Sequence, residues 1–178
     1  ASLMVASLVT YLAVTVLGTT HGFRLTMAGV TGLIVAIGVT ADSFIVYFER
    51  VRDELSKLLV VADPSAGLWF LVDTELADEF LPELRALRLE QDPIHRHKDV
   101  LTHTIAVVAK TQPSLVVRMA ALLHDVGKPK TRSIGSHGVS FHHHEVVGAR
   151  MARDRLRALR FPNEQVEDIS QLVHLHLR

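Results

Sequence analysis

The chain has 178 residues, of which 48% are hydrophobic, with no cysteine and a formal net charge of zero. The length fits one domain, or one domain with an appendage, and the absence of cysteine excludes disulfide bonds and thiolate metal sites. Bulk charge therefore attracts no partner. Histidine is unevenly spread, because ten of the 11 histidines lie beyond residue 90.

The first quarter of the chain is apolar, with only two charged side chains in residues 1–48. Two apolar runs, residues 1–17 and 25–48, flank a break at residues 18–22. Each run approaches the roughly 20 residues that cross a bilayer as a helix. We predict two transmembrane-like helices, with a buried helical hairpin as the soluble alternative. The abrupt start, without a basic leader or cleavage site, indicates an internal fragment rather than a signal peptide.

One carboxylate, Asp42, interrupts the second apolar run. A charge at membrane depth is costly, so Asp42 is a candidate functional residue. Alternatively, the helix ends near Ala41 and Asp42 caps the next one. The basic residues Arg50 and Arg52 that follow would place this end of the span in the cytoplasm.

This region contains the stretches Gly38-Val39-Thr40-Ala41-Asp42-Ser43 and Phe48-Glu49-Arg50-Val51-Arg52-Asp53-Glu54. They resemble the protein-export membrane subunit SecD, and the resemblance covers roughly residues 1–54. In that family an Asp at the place of Asp42 belongs to a proton relay that couples proton flow to export. The resemblance implies a membrane partner for residues 1–48. Because the large extracytoplasmic domain of SecD is absent from this sequence, we expect no export by this stretch alone.

From about Leu55 onward the pattern changes to amphipathic helices, and no strand alternation occurs. We predict an all-α fold in which the transmembrane-like helices are followed by a helical bundle. Its first pieces are helices within residues 68–90, split near Pro82, and a helix over residues 94–110 after a break at Asp92-Pro93.

The second half of this bundle is predicted from its helix signals. Pro113 and Ser114 open a helix that ends at Leu123, and residues 129–141 form a loop with two glycines. A long helix follows over residues 142–160. A last helix starts after Pro162-Asn163-Glu164.

The doublet His124-Asp125 follows an apolar helix, an arrangement that suits a divalent metal because imidazole nitrogen and carboxylate oxygen are common ligands. Helical spacing turns further histidines inward, while His142 and His174 fall on other faces. The alternative is one buried histidine and one capping carboxylate. We predict a site for nickel, manganese, cobalt or magnesium whose ligands are His103, His124, Asp125, His143, His144 and His176.

The stretch around this doublet is basic. Residues 118–160 carry nine Lys/Arg against three Asp/Glu, which suits a phosphate-bearing ligand or, alternatively, a solvated basic helix face. Lys128 can reach a phosphate or the charge that develops in a transition state, so we predict Asp125 and Lys128 as catalytic residues. An ordinary exposed lysine is the alternative. The predicted phosphate- or RNA-binding residues are Lys128, Lys130, Arg132, Arg150 and Arg153.

The single histidine, the His-Asp doublet and the later histidines resemble the HD-domain metal-dependent phosphohydrolases. In that family a distal Asp from a later helix completes the metal site. The sequence up to Arg178 offers no good candidate, because Asp168 is on the polar face of its helix. We therefore expect metal binding that is weakened or completed by water.

A closer resemblance covers roughly residues 55–178. The stretches that carry it are Gly67-Leu68-Trp69-Phe70-Leu71-Val72-Asp73-Thr74, Phe80-Leu81-Pro82-Glu83-Leu84, Gln91-Asp92-Pro93-Ile94-His95-Arg96-His97-Lys98-Asp99-Val100-Leu101, Leu122-Leu123-His124-Asp125-Val126-Gly127-Lys128-Pro129-Lys130-Thr131 and Phe141-His142-His143-His144-Glu145. They are similar to bacterial CCA-adding tRNA nucleotidyltransferases of the actinobacterial form. The resemblance implies the end of an RNA-binding body over residues 55–93 and an HD domain over residues 94–178.

The catalytic head of that family has no counterpart here, since no Gly-Gly loop precedes an Asp-x-Asp pair. We expect no CCA addition. The resemblance leaves hydrolysis of phosphomonoesters or 2′,3′-cyclic phosphodiesters, with tRNA, a small phosphate ester or a cyclic nucleotide as partner.

The two resemblances meet near residues 50–55, which leads to the hypothesis of a chimeric reading frame that tethers a cytoplasmic HD domain to a membrane. Three functions remain open. They are a metal-dependent HD phosphohydrolase, a non-catalytic tRNA-binding remnant, and a membrane fragment of a SecD-type translocase with Asp42 as proton relay.

Overall fold

The computed structural model describes residues 2–21, 27–89, 99–135 and 138–177. The predicted break at Asp92-Pro93 and the predicted helix start over residues 94–98 lie outside the described residues, as does the end of the predicted break at residues 18–22. The chain divides into two compact units, residues 1–48 and residues 49–178.

The first unit consists of helix α1, Ser2–His21, and the first part of helix α2, Met27–Val60. Neither helix contains proline, and the apolar side chains dominate both. None of the described side chains of this unit is buried. The alternative that a helix ends near Ala41 is wrong, because α2 runs without a break through Asp42, whose side chain is exposed.

Within the described residues, one helical stretch, Gly29–Val60, has the length and apolar composition of a membrane span, and none of its most apolar window is buried. The described apolar part of α1, Leu8–Thr20, is shorter. The prediction of two transmembrane-like helices is therefore not confirmed as a pair. Hydroxyl groups along both helices bond to carbonyls three or four residues earlier, as for Thr15, Thr19, Thr20, Thr40 and Ser43.

The second unit is mostly helical, which confirms the predicted class for this part. After α2 come α3 (Ser65–Asp73), a 3₁₀ turn (Leu76–Glu79), α4 (Glu83–Ala86), α5 (Val100–Lys110), α6 (Leu115–Leu123), α7 (Lys128–Thr131), β1 (Ser133–Gly135), β2 (Gly138–Ser140), α8 (His144–Ala158) and α9 (Asn163–Leu175).

The β-hairpin of β1 and β2 departs from the all-helical prediction. The two strands pair antiparallel, with Ser133 opposite Ser140 and Ile134 opposite Val139. Each strand has only three residues, which is too short for a period-two pattern to be visible in the sequence. The hairpin and the single turn of α7 replace the loop that was predicted over residues 129–141.

The core of the second unit forms where α8 and α9 pack as a helical hairpin, α6 lies on α9, and α5 lies on α6. Leucines from three of these helices, Leu101, Leu122 and Leu156, are fully buried. Burying a leucine side chain stabilises a fold by about 1.5–3 kcal/mol. Asp99 caps α5 by accepting a hydrogen bond from the Thr102 backbone N–H at 2.5 Å. These contacts fix the helix ends that carry the inward-facing histidines.

Arginine side chains join the early helices of this unit to the later ones. The buried Arg118 of α6 donates Nη1 to the Leu59 carbonyl at 2.6 Å and Nε to the Thr111 carbonyl at 3.1 Å. Arg155 of α8 donates from two nitrogens to the Glu83 carboxylate, the shortest bond being 2.8 Å. A positive charge at the end of α2 is favourable, because the C-terminus of a helix carries partial negative charge.

Candidate metal centre

The doublet His124-Asp125 leaves the last turn of α6, and a close backbone approach seats it against α8. Leu122 and Leu123 anchor the helix end in the core. Gly127 then passes so near to α8 that an added Cβ would lie 2.8 Å from the Gly148 nitrogen and would overlap the His144 carbonyl. Only a residue without a side chain fits this contact. The glycine therefore brings Asp125 next to His144.

The Asp125 carboxylate lies at the centre of the cluster and is 1% exposed. Its Oδ2 atom is 3.1 Å from His124 Nε2. Its Oδ1 atom is 3.5 Å from His144 Nε2 and 3.9 Å from His176 Nε2. The two carboxylate oxygens thus face different histidines. The ring of His103 lies 5.5 Å from the ring of His124, between centroids.

Three of the histidine rings are oriented by their own backbone. Nδ1 of His124 lies 2.7 Å from the Ala121 carbonyl, and Nδ1 of His144 lies 2.7 Å from the Phe141 carbonyl. Nδ1 of His176 lies 2.6 Å from the carbonyl of Val173. A carbonyl can only accept, so each Nδ1 carries the hydrogen and a neutral ring leaves its Nε2 lone pair free.

The Nε2 lone pairs of these rings converge, and this arrangement fits a cation. Nε2 of His176 and Nε2 of His144 are 3.3 Å apart, and neither can donate to the other when both rings are neutral. The Asp125 carboxylate also offers only lone pairs in this direction. An arrangement of acceptors without a donor is unfavourable unless a positive charge lies among them. The donor set of imidazole nitrogen and carboxylate oxygen suits a divalent transition metal.

Two groups of side chains in the described part of the chain have ligand atoms close enough to share one ion. The first group is His103, His124 and Asp125, and the second is Asp125, His144 and His176. In each group the ligand atoms lie within 4.8 Å of one another. Since Asp125 belongs to both groups, its carboxylate could bridge two ions or serve one.

Lys128 is part of the same cluster. Its Nζ donates to Asp125 Oδ2 at 2.8 Å and lies 5.6 Å from the centroid of the Phe141 ring. The alternative of an ordinary exposed lysine is wrong, because this side chain is 13% exposed. Burial alone would raise the pKa of Asp125, but in the metal-free protein the hydrogen bonds and charges of a protonated His124 and of Lys128 outweigh it, so the pKa of this carboxyl lies well below its usual range.

Burial acts in the opposite sense on the histidine at the end of α9. It lowers the pKa of His176, and the backbone hydrogen bond to Val173 offsets part of this effect. A lowered pKa favours the neutral ring, which is the form that can bind a metal.

The structure does not bring His143 to the cluster. Helix α8 begins one residue later, and His143 has a φ of 60°, which turns its side chain outward. The side chain is 83% exposed and belongs to neither ligand group. We predicted that His143 lies beside the inward-facing stripe of a helix over residues 142–160. This prediction is wrong, because the helix does not extend over residues 142–143.

The other predicted residues lie on or next to helices α7, α8 and α9. Lys130 and Arg132 are exposed, on α7 and just after it, and Arg150 is exposed on α8. Arg153 is half-buried and donates to Glu167. Asp168 is exposed on α9 and belongs to neither ligand group.

The roles of two residues at this site, Phe141 and Gly148, were not recognised in the sequence. The Phe141 carbonyl orients His144, its ring lies near Lys128, and Gly148 gives Gly127 room to approach. A glycine inside a helical pattern is itself a signal of close packing. Nothing in the sequence marks the carbonyl that a histidine ring will use.

Two regions of the chain match described protein families. Residues 100–178 match the family described as HD domain. Residues 46–87 match the family described as probable RNA and SrmB-binding site of polymerase A.

Curated relatives agree with these matches. The chain is 39% identical over 137 residues to a CC-adding tRNA nucleotidyltransferase of Thermus thermophilus, which is 72% of this chain and 31% of the relative. It is 38% identical over 138 residues to an A-adding tRNA nucleotidyltransferase of Deinococcus radiodurans, which is 73% of this chain and 32% of the relative. The chain thus spans about a third of the length of these relatives.

A third relative is a different kind of protein. Over 54 residues the chain is 61% identical to the protein translocase subunit SecD of Streptomyces coelicolor, which is 30% of this chain and 10% of the relative. The predicted resemblances to tRNA nucleotidyltransferases and to SecD are confirmed. The chain therefore combines an HD domain and an RNA-binding region similar to those of tRNA nucleotidyltransferases with a stretch similar to SecD.

Proposed function

We propose that the chain is a fragment of the CCA-adding type of tRNA nucleotidyltransferase whose HD domain hydrolyses phosphate esters with a divalent metal. The observation that supports this most is the convergence of three Nε2 lone pairs on the buried Asp125 carboxylate. The relatives' names refer to tRNA, and we extend tRNA as a ligand to this chain on that basis. Phosphomonoesters and 2′,3′-cyclic phosphodiesters are the proposed substrates.

The ligands in this proposal are His103, His124, Asp125, His144 and His176. A bound divalent ion lowers the pKa of water and polarises a phosphoryl oxygen. The chain's own residues supply the rest. Asp125 collects the histidines around one carboxylate, and Lys128 keeps two of its three N–H donors for an oxygen of the substrate, since one is used by Asp125. The low pKa of Asp125 keeps it ionised as a ligand.

The direct test measures bound metal and turnover together on the full chain in detergent. With nickel, manganese, cobalt or magnesium and bis-p-nitrophenyl phosphate, we expect the His124→Ala, Asp125→Ala variant to lose stoichiometric metal. We expect its turnover to fall at least about 100-fold, because removing ligands costs more than removing their supporting partners. The matched control is His142→Ala, an exposed histidine outside both ligand groups. Equal metal content and turnover in the double variant and the wild type would refute the proposal.

A second candidate function is tRNA binding without catalysis. Its support is the basic surface of α8, where Arg150 is exposed and Arg153 and Arg157 flank Glu167. Lys130, on α7, and Arg132, just after it, are exposed basic side chains as well. Basic side chains of this kind attract the phosphate backbone of a nucleic acid. In this reading the RNA-binding region and the HD domain act as one docking surface for tRNA.

We also propose that the apolar part of α2 anchors the chain in a membrane, with the HD part in the cytoplasm. The supporting observations are the absence of buried side chains in the described part of residues 2–48 and the similarity to SecD. Hydroxyls that donate to carbonyls of their own helix are hydrogen-bonded, so they do not expose unpaired polar groups to lipid. Asp42 is the candidate proton-relay residue of this stretch.

The membrane anchor predicts that the full chain stays in the pellet when membranes are washed with sodium carbonate at high pH. Asp42→Asn should remain in the pellet as well, because the neutral side chain lowers the cost of insertion. Recovery of the wild-type chain in the supernatant would contradict the anchor.

A further inference from the structure

A groove of about 560 Å³ runs along the α8–α9 hairpin. Four residues of α8, starting at Val146, and four of α9, starting at Glu167, line it at spacings of three, four and seven. This spacing gives one continuous stripe on each helix. The groove is therefore built by the paired surfaces of two packed helices and not by a loop.

The groove opens on a different side of α9 from the metal centre. His174 lines the groove, whereas His176 faces Asp125. Two residues along a helix correspond to a rotation of about 200°. A ligand in the groove would therefore not contact the His-Asp cluster directly.

Two hydrogen-bond donors in the wall of this groove are buried and have no partner in the part of the chain that the structure describes. They are the Oγ hydroxyl of Ser170, a residue that is 1% exposed, and the Nε of Arg153. A buried donor without an acceptor costs about 1–3 kcal/mol, so such atoms call for a ligand or an ordered water. Both donors point to an acceptor-rich occupant.

The charges at the groove fix where an anion would lie. Glu167 accepts from Arg153 at 2.7 Å and pairs with Arg157 at 3.4 Å, so the negative charge of Glu167 is compensated and does not repel an anion in the groove. No described side chain forms an ion pair with Arg150. Because α8 and α9 run antiparallel and Arg153 is opposite Glu167, Arg150, three residues before Arg153, lies level with Ser170, three residues after Glu167.

We propose that this groove binds a phosphate group between Arg150 and Ser170, with the Arg153 Nε as a third donor. A phosphate offers several oxygens to three donors and compensates the unpaired guanidinium. The apolar side chains of Val146 and Ala149 leave room for the organic part of a phosphate ester. The inference deepens the second candidate function and, for the identity of its ligand, rests on it.

The site itself is tested with inorganic phosphate, titrated into the full chain in detergent and followed by calorimetry. The His124→Ala, Asp125→Ala background removes binding at the metal centre. We expect saturable binding, weakened roughly tenfold by Arg150→Gln, which is the worth of one charge-assisted hydrogen bond. Ser170→Ala should weaken it severalfold. Lys110→Gln, which removes an exposed charge from α5, is the matched control. No saturable binding, or equal binding by Arg150→Gln, would overturn the proposal.

The source of the phosphate is tested with tRNA in gel shifts over a range of salt concentrations. If the groove holds the RNA backbone, Arg150→Gln weakens tRNA binding and lowers the salt slope by about one counterion. If Arg150→Gln weakens phosphate binding alone, the groove stands as a site for small phosphate esters and the tRNA-binding function fails. If phosphate binding is unchanged, the groove fails whatever tRNA does.

Discussion

Replacing Gly127 by alanine should destabilise the second unit by about 3 kcal/mol, the upper end of the range for overpacking a well-packed site. It should also abolish the metal binding that we propose for this site. The added Cβ would overlap the His144 carbonyl and lie 2.8 Å from the Gly148 nitrogen. Both obstacles are backbone atoms of α8, so no side chain can rotate to make space. The turn must move away from α8, and Asp125 moves with it. Relief of the overlap separates Asp125 from His144.

The measurement is denaturant unfolding followed by the fluorescence of Trp69, the single tryptophan, which lies in the second unit. Metal content is measured on the same samples. Gly135→Ala is the matched control, because a Cβ there meets nothing within 4 Å. It should change the free energy of unfolding by less than about 0.5 kcal/mol. Wild-type stability and metal content in Gly127→Ala would contradict the close contact.

The second large effect is expected for Arg118→Met, which should cost about 3 kcal/mol of stability because several carbonyls lose their donor. The guanidinium is 2% exposed and donates to four carbonyls, those of Leu59, Val61, Ala62 and Thr111. Methionine fills much of the volume but donates nothing. The Leu59 carbonyl in the last turn of α2 and the carbonyls just after this helix would then be left unpaired, and the favourable charge at the helix C-terminus would be lost.

Unfolding of Arg118→Met is again followed at Trp69. Arg157→Met is the control, since its guanidinium is 56% exposed and pairs with Glu167 at 3.4 Å. An exposed pair of this kind contributes about 0–1 kcal/mol. A loss below about 1 kcal/mol in Arg118→Met would show that water replaces the guanidinium at these carbonyls.

Much of the site was predictable from the sequence because helical periodicity places residues on faces. The apolar stripes of the later helices put His144 and His176 inward, and the structure places both beside Asp125. The same reasoning set His174 on a polar face, where it lines the groove with Glu167. These positions follow from the rotation of about 100° per residue.

Other features were not predictable because they depend on contacts between distant parts of the chain. Arg118 lies on the apolar face of α6 with Leu115 and Leu122, but its burial was not predicted, because three of its four carbonyl partners are more than 50 residues earlier. The exposure of His143 depends on where α8 begins, and helix boundaries are the least certain feature of a sequence.

Three histidine rings are held by nearby backbone carbonyls, and this affects how the protein would acquire a metal ion. A zinc finger collapses when its ion is withdrawn, because the ion supplies its folding free energy. Here the preceding turns hold the rings of His124, His144 and His176, and buried leucines hold the helices. A cation would therefore bind after the helices have folded, and it could be exchanged without unfolding them. Which metal ion is bound in a cell would then depend on which ions are available there.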